Sequence, residues 1–195
     1  MDHAKEIWPG STQLAPLPVV LAGCGSEGGY NLITIAWAGI VCSAPPMVSI
    51  AVRPERHSFG LIKQSGEFSI NVPTAAMAKK VDWCGVKSGR EFNKFKECNW
   101  TAVAGSKVKA PIVAECPLAL ECKVVQTLDL GAHTLFIAEI VAVQVSKDHL
   151  DEKGRFLVEK DNLLCYVHGH YYGLGECLGH FGYSVKKKEG PKIRK

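Results

Sequence analysis

Between Asn31 and Ser58 the chain gathers Thr34, Cys42, Ser43, Arg53, Arg56, His57 and Ser58 around turns and strand ends. Small hydroxyls, backbone N–H groups and one or two guanidinium groups are what a phosphate monoester needs, because its oxygens accept several charge-assisted hydrogen bonds in a compact nest. A helix beginning near His57 would add its N-terminal N–H groups to that set. The same residues also have a plainer reading, with Arg53 and Arg56 as surface ion-pair partners and Ser58 as a helix N-cap.

Glycines 23, 25 and 28 spell G-x-G-x-x-G. A dinucleotide fingerprint requires a strand before that spacing and a helix after it, so that pyrophosphate rests on the helix N-terminus. Here the run ITIAWAGIV follows, rich in β-branched and aromatic residues, and it reads as a strand. The glycines are therefore assigned to a hairpin connection together with Gly29, Ser26 and Glu27. His168 and His170 share one face if their segment is a strand, yet no third ligand is spaced to join them, and no metal is expected. None of the eight cysteines forms C-x-x-C or pairs with histidine at zinc-finger spacing. They are read as reduced thiols that pack as small hydrophobes.

The elements that must position these groups are mostly strands. VVLAGCG runs into the glycine turn, ITIAWAGIV follows as one strand, and SAPP stops it. In MVSIAVR, Val48, Ile50 and Val52 alternate with Ser49, Ala51 and Arg53, the period of a half-buried strand. Residues 57–64 read as a helix ended by Gly66, EFSINV as a strand, and 75–84 and 91–97 as short helices flanking the loop GVKSGR. Residues 105–117 read as loop. LALECKVVQTLDL alternates strongly, Gly131-Ala132 turns the chain, and HTLFIAEIVAVQV returns apolar on both faces, as in a closed or covered antiparallel sheet. LLCYV is a last short strand, and HGHYYGLGECLGHFGYS reads as extended loop. The expected fold from this pattern is mainly β, a β-barrel with short helical insertions. Helix–strand alternation is missing, which argues against a doubly wound parallel sheet.

At 195 residues, 47% hydrophobic and 22% charged, the chain suits one folded domain and excludes disorder for its bulk. Residues 1–14 read as an N-terminal arm, 15–185 as the folded body and 186–195 as a basic tail. The net charge of +4 divides into +5 on KKKEGPKIRK and −1 on the rest. The body thus lacks the excess of basic residues that a nucleic-acid binder carries, and no nucleic-acid partner is expected. No apolar run reaches the length of a membrane helix, and MDHAKEIWPG carries no secretory signal pattern. A cytoplasmic, reducing setting is the expectation.

The run NLITIAWAGIVCSAPPMVSIAVRPERHSFGLIKQSGEFSINVP resembles the flavin reductase-like FMN-binding proteins, most of all their flavoredoxin group. WCGVKSGREFNKF, VKAPIVAECPLALECKV and HGHYYGLGECLGHFGYSV resemble the same family in the same order, so the resemblance covers about residues 15–185. It implies a mainly β, FMN-binding split β-barrel of antiparallel, Greek-key-like strands with short helical insertions, and a homodimer with one FMN per subunit near the interface. Asn31 belongs to the matching segment as a cofactor-binding candidate. The resemblance places the Thr34 hydroxyl at the isoalloxazine edge near N5, with Trp37 shaping the pocket. Cys42 and Ser43 would offer backbone and hydroxyl groups to the flavin. Arg53, His57 and Ser58 fit the phosphate and ribityl chain, Ser88 and Gly89 a second set of backbone donors, and Lys94 a cation near the phosphate or the pyrimidine edge. Thr34 and His133, the latter at the mouth of the flavin site, are the catalytic candidates. Cys42 is read either as a redox thiol or as a buried contact. His57 departs from relatives with a phenol at that position, which makes the contact sensitive to pH.

Two functions follow from the resemblance. One is an oxidoreductase moving electrons from NAD(P)H through FMN to free flavin, ferric iron or a redox protein. The other is an FMN-binding electron carrier with no direct nicotinamide oxidation. No rubredoxin-type cysteine cluster is present, so an iron-linked partner would be a separate protein.

Overall fold

A computed structural model describes residues 3–185; the basic tail expected at 186–195 lies outside the described residues. Its strands, in chain order, are β1 (Leu17–Pro18), β2 (Val20–Cys24), β3 (Asn31–Ile35), β4 (Ala38–Ser43), β5 (Pro46–Val52), β6 (Glu67–Val72), β7 (Ala102–Ala104), β8 (Pro111–Val113), β9 (Leu118–Asp129), β10 (Thr134–Val145), β11 (Leu164–Val167) and β12 (His170–Gly173). The helices are α1 (His57–Ser65), α2 (Ala78–Val86) and the single turn α3 (Lys94–Glu97).

Seven strands form the main sheet in the order β3-β2-β6-β9-β10-β5-β4. Its two edge strands, β3 and β4, are separated in sequence only by Ala36 and Trp37. Two residues cannot span a flat seven-stranded sheet, because strands lie roughly 4.8 Å apart. The sheet must therefore curl until its first and last strands meet. Register shifts between β9 and β10 at Ile137/Ala138 and Ile140/Ala142, and between β4 and β5 at Ile40/Cys42, mark β-bulges that add bend and twist. The result is a mainly β fold with short helices, as the sequence pattern predicts, and a split barrel, as the family resemblance implies.

ITIAWAGIV is accordingly not one strand. It breaks at Ala36-Trp37 because the barrel needs a corner there, and Trp37 sits in the bend; its carbonyl accepts a hydrogen bond from the Ala51 amide at 2.9 Å. The 105–117 segment contains β8, which pairs with β7. The helix expected at 91–97 shrinks to α3. His168 and Gly169 both have positive φ, at 45° and 89°, the signature of a two-residue hairpin turn. That turn folds HGHYYG back as β12 on β11, where an extended loop was expected. Residues 17–18, at the start of the body expected from residue 15, pair with β11.

Strands β2 and β3 are buried on both faces. Val20, Ala22, Cys24, Ile33 and Ile35 point into the barrel with Ile50, Phe68 and Phe136. Leu21 and Leu32 point outward into a second core built with Val81 and Cys84 of α2, Phe95 of α3, Cys98 and Trp100. Period-2 alternation thus gives β3 two jobs, one face filling the barrel and the other seating α2 and α3.

Candidate functional site

β3 and the N-terminus of α1 meet the chain that leaves α2. A cavity of about 370 Å³ lies there, lined by Ile33, Glu55, Arg56, His57, Ser58, Cys84, Gly85, Lys87, Ser88, Gly89, Arg90 and Lys94. A second cavity of about 140 Å³ shares Ile33 and Arg56 with the first and adds Thr34, Trp37, Arg53 and His133. The structure thus brings His57, Ser58, Ser88, Gly89 and Lys94 to one cavity and Thr34, Trp37, Arg53 and His133 to its neighbour. Asn31 lines a further depression with His57 and Gly89. Cys42 and Ser43 stand apart at the end of the β4–β5 hairpin and line neither of the two cavities.

Charge is the dominant feature of the larger cavity. Arg56, Lys87, Arg90 and Lys94 face it, against the single carboxylate of Glu55. Arg56 donates to the Gly85 carbonyl at 3.4 Å and Arg90 to the Glu55 carbonyl at 3.3 Å, so both guanidinium groups are held at the rim by backbone. α1 begins after Arg56 with no side-chain cap and no acid in its first turn. A helix N-terminus left in that state favours an anion.

Behind the rim the polar groups are buried and ordered. Asn31 Nδ2 donates to Ser58 Oγ at 2.8 Å, so Ser58 is a buried partner of β3 and not the helix cap. Gly89 lies against this pair: a Cβ there would come within 2.0 Å of Asn31 Oδ1 and 3.0 Å of the His57 ring. Only glycine lets the K-S-G-R loop approach so closely. Burial, with the Arg90 and Lys94 charges, holds His57 below the ordinary histidine range, so its imidazole is neutral at pH 7. Thr34 sits on the outward face of β3 and its hydroxyl donates to the Val81 carbonyl of α2. The Thr34 oxygen therefore remains as an acceptor.

Lys94 is only 3% exposed. Its ammonium donates to the Leu32 carbonyl at 2.8 Å and the Cys84 carbonyl at 2.6 Å. Burial pulls it below the ordinary lysine range; the Cys84 and Cys24 sulfurs act the other way, and Arg56 adds repulsion. A lysine has three N–H donors, so one is left for the cavity that Lys94 lines. Arg53, in contrast, pairs with Glu55 at 3.4 Å in an exposed contact. Lys87, Arg90 and Gly85 were not singled out from sequence. The two cations bracket Ser88-Gly89, a signal that was legible; Gly85 acts through its carbonyl, which no side-chain pattern reveals.

A curled, split antiparallel barrel carrying a cation-lined cavity at one strand face defines the class. Residues 12–175 match the family model described as "Flavin reductase like domain", and the chain belongs to that family. It is 38% identical over 130 residues to an uncharacterized protein of Archaeoglobus fulgidus, covering 67% of this chain and 73% of that one. A ferric-chelate reductase (NAD(P)H) of the same organism is 28% identical over 58% of this chain and 72% of its own length. Among solved structures, flavoredoxin of Desulfovibrio vulgaris (Miyazaki F) superposes with a TM-score of 0.87 at 31% identity, covering 94% of this chain and all of that one. An FMN-binding protein from Thermus thermophilus superposes at 0.73 with 27% identity over 89% and 94% of the two chains.

Proposed function

We propose that the chain binds FMN in the two adjoining cavities and passes electrons from NAD(P)H through it to an acceptor such as free flavin, ferric iron or a redox protein. The observation that carries this reading is the larger cavity, four cations against one carboxylate, beside an uncapped helix N-terminus. Its size is at the lower end of the range typical of ligand sites. Arg56, Arg90 and Lys87 would meet the phosphate at the rim, and the first N–H groups of α1 would meet its remaining oxygens. The buried Asn31–Ser58 pair offers polar contacts to the ribityl chain. Bound flavin would supply the hydride-accepting redox chemistry, and the side chains would hold and orient it.

The chain's own part is orientation and charge. Thr34, its proton committed to Val81, can accept a hydrogen bond from a protonated ring nitrogen. The remaining Lys94 N–H would favour negative charge on the ligand. Trp37 and His133 bound the smaller cavity, where a second reactant would approach. Ile40 and Val41 are exposed on the edge strand β4, with Leu128 and Leu130 exposed beyond them in the chain. An apolar edge of this kind supports a second copy as partner, which would also bring the β4–β5 hairpin bearing Cys42 and Ser43 against a neighbour. Eight free cysteines suit a reducing cytoplasm, and no helix among the described residues is long and apolar enough to cross a membrane.

The test is a visible spectrum of the purified protein, followed by NADH and NADPH added in turn under nitrogen. A flavin band that bleaches with either nucleotide supports the oxidoreductase reading. A band that yields only to dithionite replaces it with an electron carrier. Failure of added FMN to bind overturns both.

A further inference from the structure

Cys84, near the C-terminal end of α2, and Cys98, just past α3, face each other with sulfurs 3.6 Å apart. Both are buried, at 0% and 3% exposure. The fourteen-residue step between them contains Ser88, Gly89, Arg90 and Lys94, much of the wall of the larger cavity. The two cysteines also hold Lys94 from both ends. The Cys84 carbonyl accepts from its ammonium, and the Cys98 amide donates to its carbonyl at 3.1 Å.

We propose that Cys84 and Cys98 are a redox modification site, oxidised by a peroxide to a disulfide that displaces Lys94 and weakens ligand binding in the cavity. The coupling to the cavity rests on the FMN reading above; the disulfide itself does not. In the first step one sulfur, as thiolate, attacks the peroxide. An S–O bond forms, the O–O bond breaks, and the leaving oxygen takes the thiol's proton, giving a sulfenic acid and water or an alcohol. In the second step the other sulfur attacks the sulfenic sulfur. The S–S bond forms, the S–O bond breaks and water leaves. Two thiols lose two electrons and two protons to one peroxide.

The geometry explains why the effect would reach the ligand. The sulfurs must close from 3.6 Å to about 2.05 Å. Closing that gap draws on the two side-chain torsions, on α2 and on the turn after α3, and α2 and that turn each carry one of the groups that grip Lys94. Burial raises both thiols above the ordinary cysteine range, so the pair resists mild oxidants; the Lys94 charge partly offsets this at each sulfur. The pair should therefore react more slowly than Cys177, which is exposed.

The experiment exposes the purified, FMN-loaded protein to hydrogen peroxide. Free thiols are then alkylated in denaturant, the peptides are mapped without reduction, and FMN affinity is measured by titration before and after. The expected result is one peptide pair joined through Cys84 and Cys98, a several-fold rise in the FMN dissociation constant, and recovery of both with dithiothreitol. Cys98→Ala should abolish the crosslink and the peroxide effect on affinity. Two results overturn the proposal: both cysteines remain alkylatable after Cys177 has been consumed, or the crosslink forms and FMN affinity does not change. If untreated protein binds no FMN, the cofactor reading and the coupling fall together, while the peptide map still decides the disulfide.

Discussion

Among the described residues two charged side chains are buried, and they are treated in opposite ways. The Glu121 carboxylate on β9 accepts from the Ser106, Lys107 and Val108 amides at 3.0, 2.6 and 3.1 Å. The Ser106 hydroxyl and Gln144 Nε2 add further bonds at 2.7 and 2.6 Å. Five donors satisfy the anion and staple the 105–109 loop onto the sheet. Lys94 has two carbonyl acceptors and no carboxylate among its hydrogen-bond partners. The first charge is complete without a ligand and belongs to the fold. The second is left short of a partner beside a cavity, where a low dielectric makes an unmatched charge costly until an anion arrives.

The largest expected effect lies on the structural side. Glu121→Ala should destabilise the fold by about 3–5 kcal/mol in urea unfolding, because five donors lose their acceptor in the core. FMN affinity of the folded protein should hardly change, and a large affinity loss would break the contrast between the two sites.

Acid should act through the same residue. Burial alone would raise the Glu121 carboxyl, but Gln144, the Lys107 and Ser106 amides and the Ser106 hydroxyl hold it at about 2, against an ordinary 4.5. Its folded-state value is depressed, so its stabilisation is present above about pH 4.5 and is lost as pH falls toward 2. That difference corresponds to roughly 3 kcal/mol. Glu121→Gln should flatten the acid limb of a stability–pH curve over this window; an unchanged limb would show that another carboxylate controls it.

Lys94→Met should do the reverse of Glu121→Ala. Loss of one charge-assisted bond is worth ~1.5–3 kcal/mol, or about 10–100-fold in FMN affinity. Unfolding stability should hold or rise, since a buried charge has been replaced by an apolar chain. A fall in stability with unchanged affinity would make Lys94 a second staple.

Gly89→Ala should weaken FMN binding by a smaller factor, because the new methyl collides with Asn31 Oδ1 and disturbs the Asn31–Ser58 bond. His57 should make affinity rise as pH falls below 6.5: a bound phosphate favours the imidazolium that burial and the neighbouring cations disfavour in the free protein. His57→Gln should remove that slope. Arg53→Ala is expected to have the least effect on stability, since its pair with Glu55 is exposed to solvent and screened.

Much of this was legible in the residues. The alternation of Leu118, Leu120 and Cys122 announced β9, and Gly131 placed the turn into β10. The glycines at 25 and 28 marked the β2–β3 connection, and both adopt positive φ there. Ser58 and Lys94, cofactor-binding candidates from the sequence, both line the larger cavity, but the contacts that place each there were not visible. Ser58 looked like a cap and is a buried partner of Asn31, a residue 27 positions away. Lys94 was read as a cation near the phosphate or the pyrimidine edge, and its two backbone acceptors, from β3 and α2, were not legible.

Periodicity and turn chemistry act over a few residues, so the sequence by itself determined β2, β5, β6, β9, β10 and β11, the α1 helix, the glycine turn and the K-S-G-R loop, while the short β7, β8 and β12 escaped it. The corner at Ala36-Trp37, the burial of Lys94 and the meeting of Cys84 with Cys98 came only with the tertiary structure. Each depends on contacts made when a seven-stranded sheet curls and two short helices cover one of its faces. Those contacts join residues distant along the chain, and local propensity carries no information about them.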